Sequence, residues 1–480
     1  MGEDSSDIDG VSVPACLIPV KAAKAGLCQK DVMSLTETAL ILAERAVPRY
    51  TSYPTAPHFA ALEPQIARGW LAHLPADAKL SLYLHVPYCT AICTYCGCHT
   101  KAVRKAAPLD AYAATLAQEM ALLAEATQAR QVTHIHWGGG TPSLLGPQRL
   151  HALHEQLKEF FDLSALREHA IELDPRMVTA DLANMLDAIG VTRASLGVQD
   201  LNDHVQRAIG RVQPFEIVRA AVDHLRDAGI RAINLDLMYG LPEQSVENVR
   251  QTARLSASLA PSRLAIFGYA HVPWFKLHQK LIDETALPGA AERMEQAAAA
   301  RAVLETQGYV PIGLDHFARP EDDMAIAADA RDLHRNFQGY TVDDADALLP
   351  LGASSIGRLP QGYVQNAPDV AGWRRMIEAG QLPVVKGCAF KPDDLLRAQV
   401  IERLMCDFEV DFGQLAKASG DETLLDDCIP ELDRLQRDGV VERAGRSIRI
   451  LPQAQPFIRL AAAAFDAYLQ KNAARHSVAV

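Results

Sequence analysis

The sequence predicts an α/β fold built on a parallel sheet, and two observations predict it. Short β-rich runs alternate with helical stretches six times in succession, and polar and glycine residues gather where successive β runs end. The β runs are "LSLYLHV" (80–86), "VTHIHW" (132–137), "HAIEL" (169–173), "RASLGV" (193–198), "RAINLDLM" (231–238) and "RLAIFGYA" (263–270). Between them, residues 109–126 place Leu109, Tyr112, Leu116, Met120 and Leu123 at helical spacing. Residues 214–229 repeat the pattern, with Pro214 as a start and Gly229 as a stop. Six strand–helix units imply helices outside a parallel sheet, arranged either as a (β/α) barrel or as an open doubly wound sheet. A seventh run, "YVPIGL" (309–314), reads as a further strand.

Four segments are expected. Residues 1–45 read as an extension, partly disordered, with Met33 an internal candidate start. Residues 46–78 read as an extended segment covering the barrel mouth, because "PRYTSYPTAPHF" (48–59) is rich in proline and aromatics. Residues 79–386 form the catalytic domain, and residues 387–480 lose the strand signal and read as a smaller, mostly helical domain.

Composition excludes several classes. The chain of 480 residues is 49% hydrophobic and 22% charged, with a formal net charge of −12. That balance argues against a nucleic-acid or membrane-surface partner. No apolar run approaches the roughly 18 residues of a membrane span, and "MGEDSSDIDG" is acidic where a secretory signal is basic, so a cytoplasmic protein is expected. In that compartment thiols stay reduced, and clustered cysteines point to metal or redox chemistry.

Four of the nine cysteines fall in "YLHVPYCTAICTYCGCHT" (83–100), as Cys89-x3-Cys93-x2-Cys96 with Cys98 two residues on. Core thiols have no reason to crowd into one loop. Zinc remains an alternative, with His85 and His99 nearby, but no second cysteine pair exists. An iron–sulfur cube takes one thiolate per iron, so three cysteines leave one corner open to a ligand. Cys89 follows the first β run, "GGGTP" (138–142) the second, Glu172 and Asp174 end the third, Gln199 and Asp200 the fourth, and Asp236 to Gly240 close the fifth. These are the carboxyl ends of successive strands, where parallel α/β folds build active sites.

The cysteine triplet followed by "GGGTP" resembles the radical S-adenosylmethionine superfamily. "PRYTSYPTAPHF", the "CGC" at 96–98, "DHFARP" (315–320) and "HRNFQGYT" (334–341) resemble its oxygen-independent coproporphyrinogen III oxidase family from about residue 46 onward. The resemblance implies a partial (β/α)6-type TIM barrel. It implies a [4Fe-4S] cluster on Cys89, Cys93 and Cys96, with Cys98 unassigned, and a monomer. It further implies S-adenosylmethionine, split to a 5'-deoxyadenosyl radical, and two binding sites for it: Tyr83, Gly139, Glu172 and Ile356 at the cluster, and Tyr95, Gly140, Thr141, Gln199, Arg211, Asp236 and Ala270 at the second. Glycines let backbone approach a ligand, carboxylates accept from amino or ribose groups, and a guanidinium pairs with a carboxylate. Glu172 and Asp236 also read as caps or ion-pair members, and Ala270 and Ile356 as core.

The implied reaction converts two propionates of coproporphyrinogen III to vinyl groups, giving protoporphyrinogen IX. It needs a low-potential electron donor and a terminal acceptor. Candidates to hold the propionates are Arg49, Lys276, Arg319, Arg335 and Arg358. A haem-binding chaperone of the same superfamily is the alternative reading.

Overall fold

A computed structural model describes residues 37–469. The start at Met33 and residues 1–36 of the N-terminal extension fall outside that range, and the rest of the extension opens with a helix, Glu37–Ala43. Six strands run in chain order: β1 (Leu80–Val86), β2 (Val132–Gly139), β3 (Glu168–Leu173), β4 (Arg193–Gln199), β5 (Ala232–Tyr239) and β6 (Arg263–Gly268). Each pairs in parallel with the next. Helices α1 (Ala106–Ala126), α2 (Gly146–Phe160), α3 (Ala180–Ala188), α4 (Phe215–Asp227), α5 (Val246–Ser258) and α6 (Ala290–Thr306) follow the six strands in turn. Of the two arrangements the alternation allows, this is the partial α/β barrel that the family resemblance implies. Parallel neighbours need a crossover, and a helix supplies each one.

Period two decides which residues line the barrel. Along β4 and β5, Ala194, Leu196, Val198, Ile233, Leu235 and Leu237 are buried, while Ser195, Gly197, Gln199, Asn234 and Asp236 on the other face are half-buried. The apolar face belongs to the main core, with Val218, Val222 and Leu225 of α4 and Val249 and Ala253 of α5. The polar face is left for the barrel interior.

The outer strands depart from the expectation. The run at 309–314 does hold a strand, but outside the parallel series: β7 (Val310–Ile312) pairs antiparallel with β8 (His316–Ala318), which pairs antiparallel with β6. Gly313, at φ +55°, turns the chain back after three residues. At the opposite edge β9 (Ala347–Leu351) runs parallel to β1, and β10 (Ile356–Leu359), β11 (Gly362–Asn366) and β12 (Val384–Ala389) extend the sheet antiparallel. These runs are short and broken by glycine and proline, which hides their period.

Residues 46–78 are not extended throughout: Pro64–Ala72 is a helix with proline in its first turn. Ahead of it, Tyr50 Oη donates to Asp466 (3.1 Å), and the Phe59 and Tyr363 rings stack at 5.5 Å. Beyond β12 the chain is largely helical, as expected, but a three-stranded antiparallel sheet (Glu409–Asp411, Val441–Ala444 and Ser447–Ile450) sits among the helices. Strands of three or four residues carry too little period to be told from helix ends. Tyr50, Tyr53 and helix Glu37–Ala43 share a second core with this region.

Candidate functional site

The loop from β1 to α1 carries all four clustered cysteines, and short contacts from several elements hold it at the carboxyl end of the sheet. Tyr88–Cys89 bridges in parallel to Lys101–Ala102. The turn after β2 clasps the loop's entry: Gly140 N donates to Val86 O (2.9 Å) and Thr141 N to Tyr88 O (2.7 Å). On the far side, Thr94 N donates to Ile209 O (3.1 Å). A side chain on Gly138, Gly139 or Gly140 would meet Glu172, the His85 ring or the Tyr88 carbonyl at under 3 Å. The triple glycine is therefore a packing requirement as well as a possible ligand cradle.

Each ligand-candidate sulfur receives a donor. Thr100 Oγ1 and Thr141 Oγ1 point to Cys89 Sγ (3.3 and 3.5 Å), Arg211 Nη1 to Cys93 Sγ (3.7 Å) and Cys98 N to Cys96 Sγ (3.4 Å). Donors of this kind suit thiolates. The hydrogen bond from the Cys98 thiol lowers the Cys96 thiol to about 6, and the same contact, with burial, raises Cys98 well above its usual value. Among the described residues no three His, Cys, Asp or Glu side chains converge on a single metal ion. Yet Cys89, Cys93 and Cys96 lie near enough to feel one another's charge. Three donor-supported thiols with no second cysteine pair in the sequence fit a multi-iron cluster better than a zinc ion.

The barrel's polar face leads up to this loop. Glu172 Oε2 accepts from Gly139 N (3.1 Å), and Oε1 pairs with His136 Nε2 (3.2 Å). Burial alone would raise its carboxyl, but His136 and the Gly139 N–H outweigh it and hold the pKa below the usual range. Asp236 accepts from Ser195 Oγ (2.8 Å) and Asn234 Nδ2 (2.8 Å), although burial keeps its pKa raised. Tyr83 Oη meets His85 Nδ1 (3.0 Å); burial pushes the His85 ring down to about 4, so it is neutral. Gln199 sits at φ +67° on the irregularity that ends β4. Arg211 Nη2 binds Gly197 O (2.7 Å) and stands 3.5 Å from Asp174, linking β3, β4 and the cysteine loop. Ile356 opens β10 beyond the loop that leaves β9.

Sequence reasoning missed His136, Ser195 and Asn234, whose role as partners of Glu172 and Asp236 follows from strand register. It also missed the grip of residues 276–279. Lys276 Nζ donates to Cys98 O (2.9 Å), His278 Nε2 meets Cys96 O (2.6 Å), and Gln279 Nε2 bridges Tyr95 O (2.8 Å) and Ala270 O (3.3 Å). Gln279 is 1% exposed, a buried amide joining two residues singled out for one ligand.

The cationic candidates divide. Arg49 Nη2 reaches Gly268 O (2.8 Å) at the carboxyl end of β6, and Arg335 Nε reaches Tyr50 O (3.2 Å) beside it. Arg358 is exposed on β10. Arg319 lies at the other end of the sheet: its N–H bonds Ser262 O, ahead of the amino end of β6, and its guanidinium covers the Tyr309 ring at 3.9 Å. It is too far from the mouth to meet a ligand there.

Comparison with known proteins matches residues 83–256 to the Radical SAM superfamily. The chain is 48% identical over 451 residues to an oxygen-independent coproporphyrinogen III oxidase of Bradyrhizobium diazoefficiens, covering 92% of this chain and 99% of that one. It is 40% identical to the protein of the same name from Paracoccus denitrificans, covering 92% and 98%. The solved coproporphyrinogen III oxidase of Escherichia coli, described as a radical SAM enzyme, superposes with a TM-score of 0.84 at 34% identity, covering 88% of this chain and all of that one.

Proposed function

The chain belongs to the oxygen-independent coproporphyrinogen III oxidases of the radical SAM superfamily, and on that premise we propose that it converts two propionates of coproporphyrinogen III to vinyl groups without oxygen, yielding protoporphyrinogen IX. The observation that carries the reading is the set of three thiols at the carboxyl end of a parallel sheet, each with a hydrogen-bond donor on its sulfur. Cys89, Cys93 and Cys96 hold a [4Fe-4S] cluster. With S-adenosylmethionine bound, that cluster supplies the radical chemistry that takes hydrogen from an unactivated carbon.

The protein's own task is placement. Glu172, kept ionised by His136 and Gly139, accepts from the amino group of the cluster-side S-adenosylmethionine, with Tyr83, Gly139 and Ile356 around it. Tyr95, Gly140, Thr141, Gln199, Arg211, Asp236 and Ala270 serve a second molecule, and Gln279 holds Tyr95 and Ala270 in register for it. Arg49, Lys276, Arg335 and Arg358 receive substrate carboxylates, guanidinium to carboxylate. Residues 46–78 cover the mouth, residues 79–386 act as the catalytic unit, and residues from 387 onward form the smaller, mostly helical one. The protein works as a cytoplasmic monomer with a low-potential one-electron donor and a separate terminal acceptor. Among the described residues no helix is long and apolar enough to cross a membrane.

The test is anaerobic incubation of the reconstituted protein with coproporphyrinogen III, S-adenosylmethionine and dithionite. Divinyl product, together with methionine and 5'-deoxyadenosine, is expected. Iron-loaded protein that cleaves no S-adenosylmethionine would remove the reading.

A further inference from the structure

The loop after β6 has two faces of opposite character. Its inner face is polar and holds the cysteine loop through Lys276, His278 and Gln279, on the carbonyls of Cys98, Cys96 and Tyr95. Its outer face is apolar: Trp274 is 49% exposed, Phe275 75%, Leu277 68% and Leu281 75%. These are four of the eleven exposed large hydrophobics among the described residues, gathered within eight positions. Isolated exposed apolar side chains are ordinary, whereas a cluster of this kind marks a contact surface.

The surrounding charge says what the surface contacts. Residues 78–109 contain no Asp or Glu, in a chain that has 59 of them, and Lys101, Arg104 and Lys105 are exposed there. Lys280 is exposed between Leu277 and Leu281. Two exposed acids follow: Asp283 accepts from Thr285 N and Oγ1, which keeps it ionised, and Glu284 pairs with His271 at 3.0 Å. An apolar patch carrying Lys280 is thus set into a protein of net charge −12, on the loop whose Lys276 and His278 bond the Cys98 and Cys96 carbonyls, and the acid-free cysteine loop runs on to Lys101, Arg104 and Lys105. A partner docked there reaches the loop that contacts the cysteine segment directly, and charge of opposite sign orients such brief encounters.

We propose that the outer face of residues 274–281, with Lys101, Arg104 and Lys105, is the docking surface for a small acidic one-electron carrier protein. The proposal rests on the cluster reading above. In the docked pair the carrier loses one electron and the cluster gains it, with no atom transferred. The surface needs to be no larger than the small interfaces typical of transient redox encounters.

The test uses anaerobically reconstituted protein and reduced flavodoxin as the probe. Two variants are compared with the unmodified protein: the triple substitution Phe275→Ser, Lys280→Glu, Leu281→Ser, and the single Lys280→Glu, which removes no apolar surface. Binding of labelled flavodoxin is followed by fluorescence anisotropy, and S-adenosylmethionine cleavage is driven by flavodoxin or by dithionite. The triple variant should bind flavodoxin at least tenfold more weakly and lose flavodoxin-driven cleavage in proportion. Its iron content and dithionite-driven cleavage should stay at the unmodified level. Lys280→Glu should show a smaller loss that is largest at low salt. Unchanged flavodoxin binding, or an equal fall under dithionite, would overturn the proposal. If the unmodified protein cleaves nothing with dithionite, the cluster reading fails instead, while the anisotropy result still reports on docking.

Discussion

Gly140→Ala tests most directly how the glycine turn supports the cysteine loop. A Cβ there would lie 2.5 Å from Tyr88 O and 2.5 Å from Thr100 Oγ1, where ordinary contact begins at 3.4 Å. The strain cannot be relieved by a side-chain swing, because Tyr88 O is backbone and is bonded to Thr141 N at 2.7 Å. Something must therefore move by about 1 Å, either the chain one residue before Cys89 or the end of β2. Thr100 is pushed as well, and it is a donor to Cys89 Sγ. Overpacking of this kind costs about 1–3 kcal/mol of stability. A shift of about 1 Å at a catalytic group lowers rate by roughly 10²-fold. The assay is iron per chain after anaerobic reconstitution, followed by S-adenosylmethionine cleavage with dithionite. Both should fall, cleavage by the larger factor. Thr100→Ala added to Gly140→Ala should not restore them, since the Tyr88 carbonyl remains in the way. Full iron and full cleavage in Gly140→Ala would refute the idea that this turn positions Cys89.

Four further outcomes are expected. Gly69→Ala, inside helix Pro64–Ala72 with nothing within 4 Å of the added methyl, should stabilise the protein by about 0.5–1 kcal/mol and leave cleavage unchanged, read as a higher Tm. Arg211→Lys should lower iron retention and cleavage, because a point charge cannot serve Cys93, Gly197 O and Asp174 together as the guanidinium does. Burial pushes the Glu119 carboxyl from 4.5 up to about 8, so its contribution is full below pH 4.5 and is lost as pH rises towards 8, at about 1.4 kcal/mol per unit. Glu119→Gln should remove that slope from urea unfolding measured between pH 6 and 8. Burial depresses the His169 ring from 6.5 to about 3, and Trp137 Nε1 donates to it at 2.9 Å. Its contribution is therefore present above pH 6.5 and lost as pH falls towards 3. His169→Gln should be less acid-sensitive than the unmodified protein over pH 6.5 to 4.5, with the opposite sign of change to Glu119→Gln.

The six parallel strands and the end of the sheet where the candidate residues gather were legible in the sequence, because each depends on local period and on motif spacing along one stretch of chain, whereas the choice between a barrel and a doubly wound strand order was not. Cys89, Cys93, Cys96 and the glycine run could be read for the same reason. The β9–β12 extension and the reversal at Gly313 were not, since strands of three to six residues broken by Gly and Pro leave no period to count. Partnerships across the sheet were hidden too. His136 with Glu172, Ser195 and Asn234 with Asp236, and Gln279 across Tyr95 and Ala270 join residues between 2 and 184 positions apart. Only strand register and packing bring most of them within hydrogen-bond reach. Tertiary structure likewise sent Arg319 to the amino end of the sheet and turned Trp274, Phe275, Leu277 and Leu281 outward. Chain-local chemistry thus marked the candidate residues, and the closing of the sheet decided which of them meet. A side chain's direction depends on neighbours that sequence distance does not reveal.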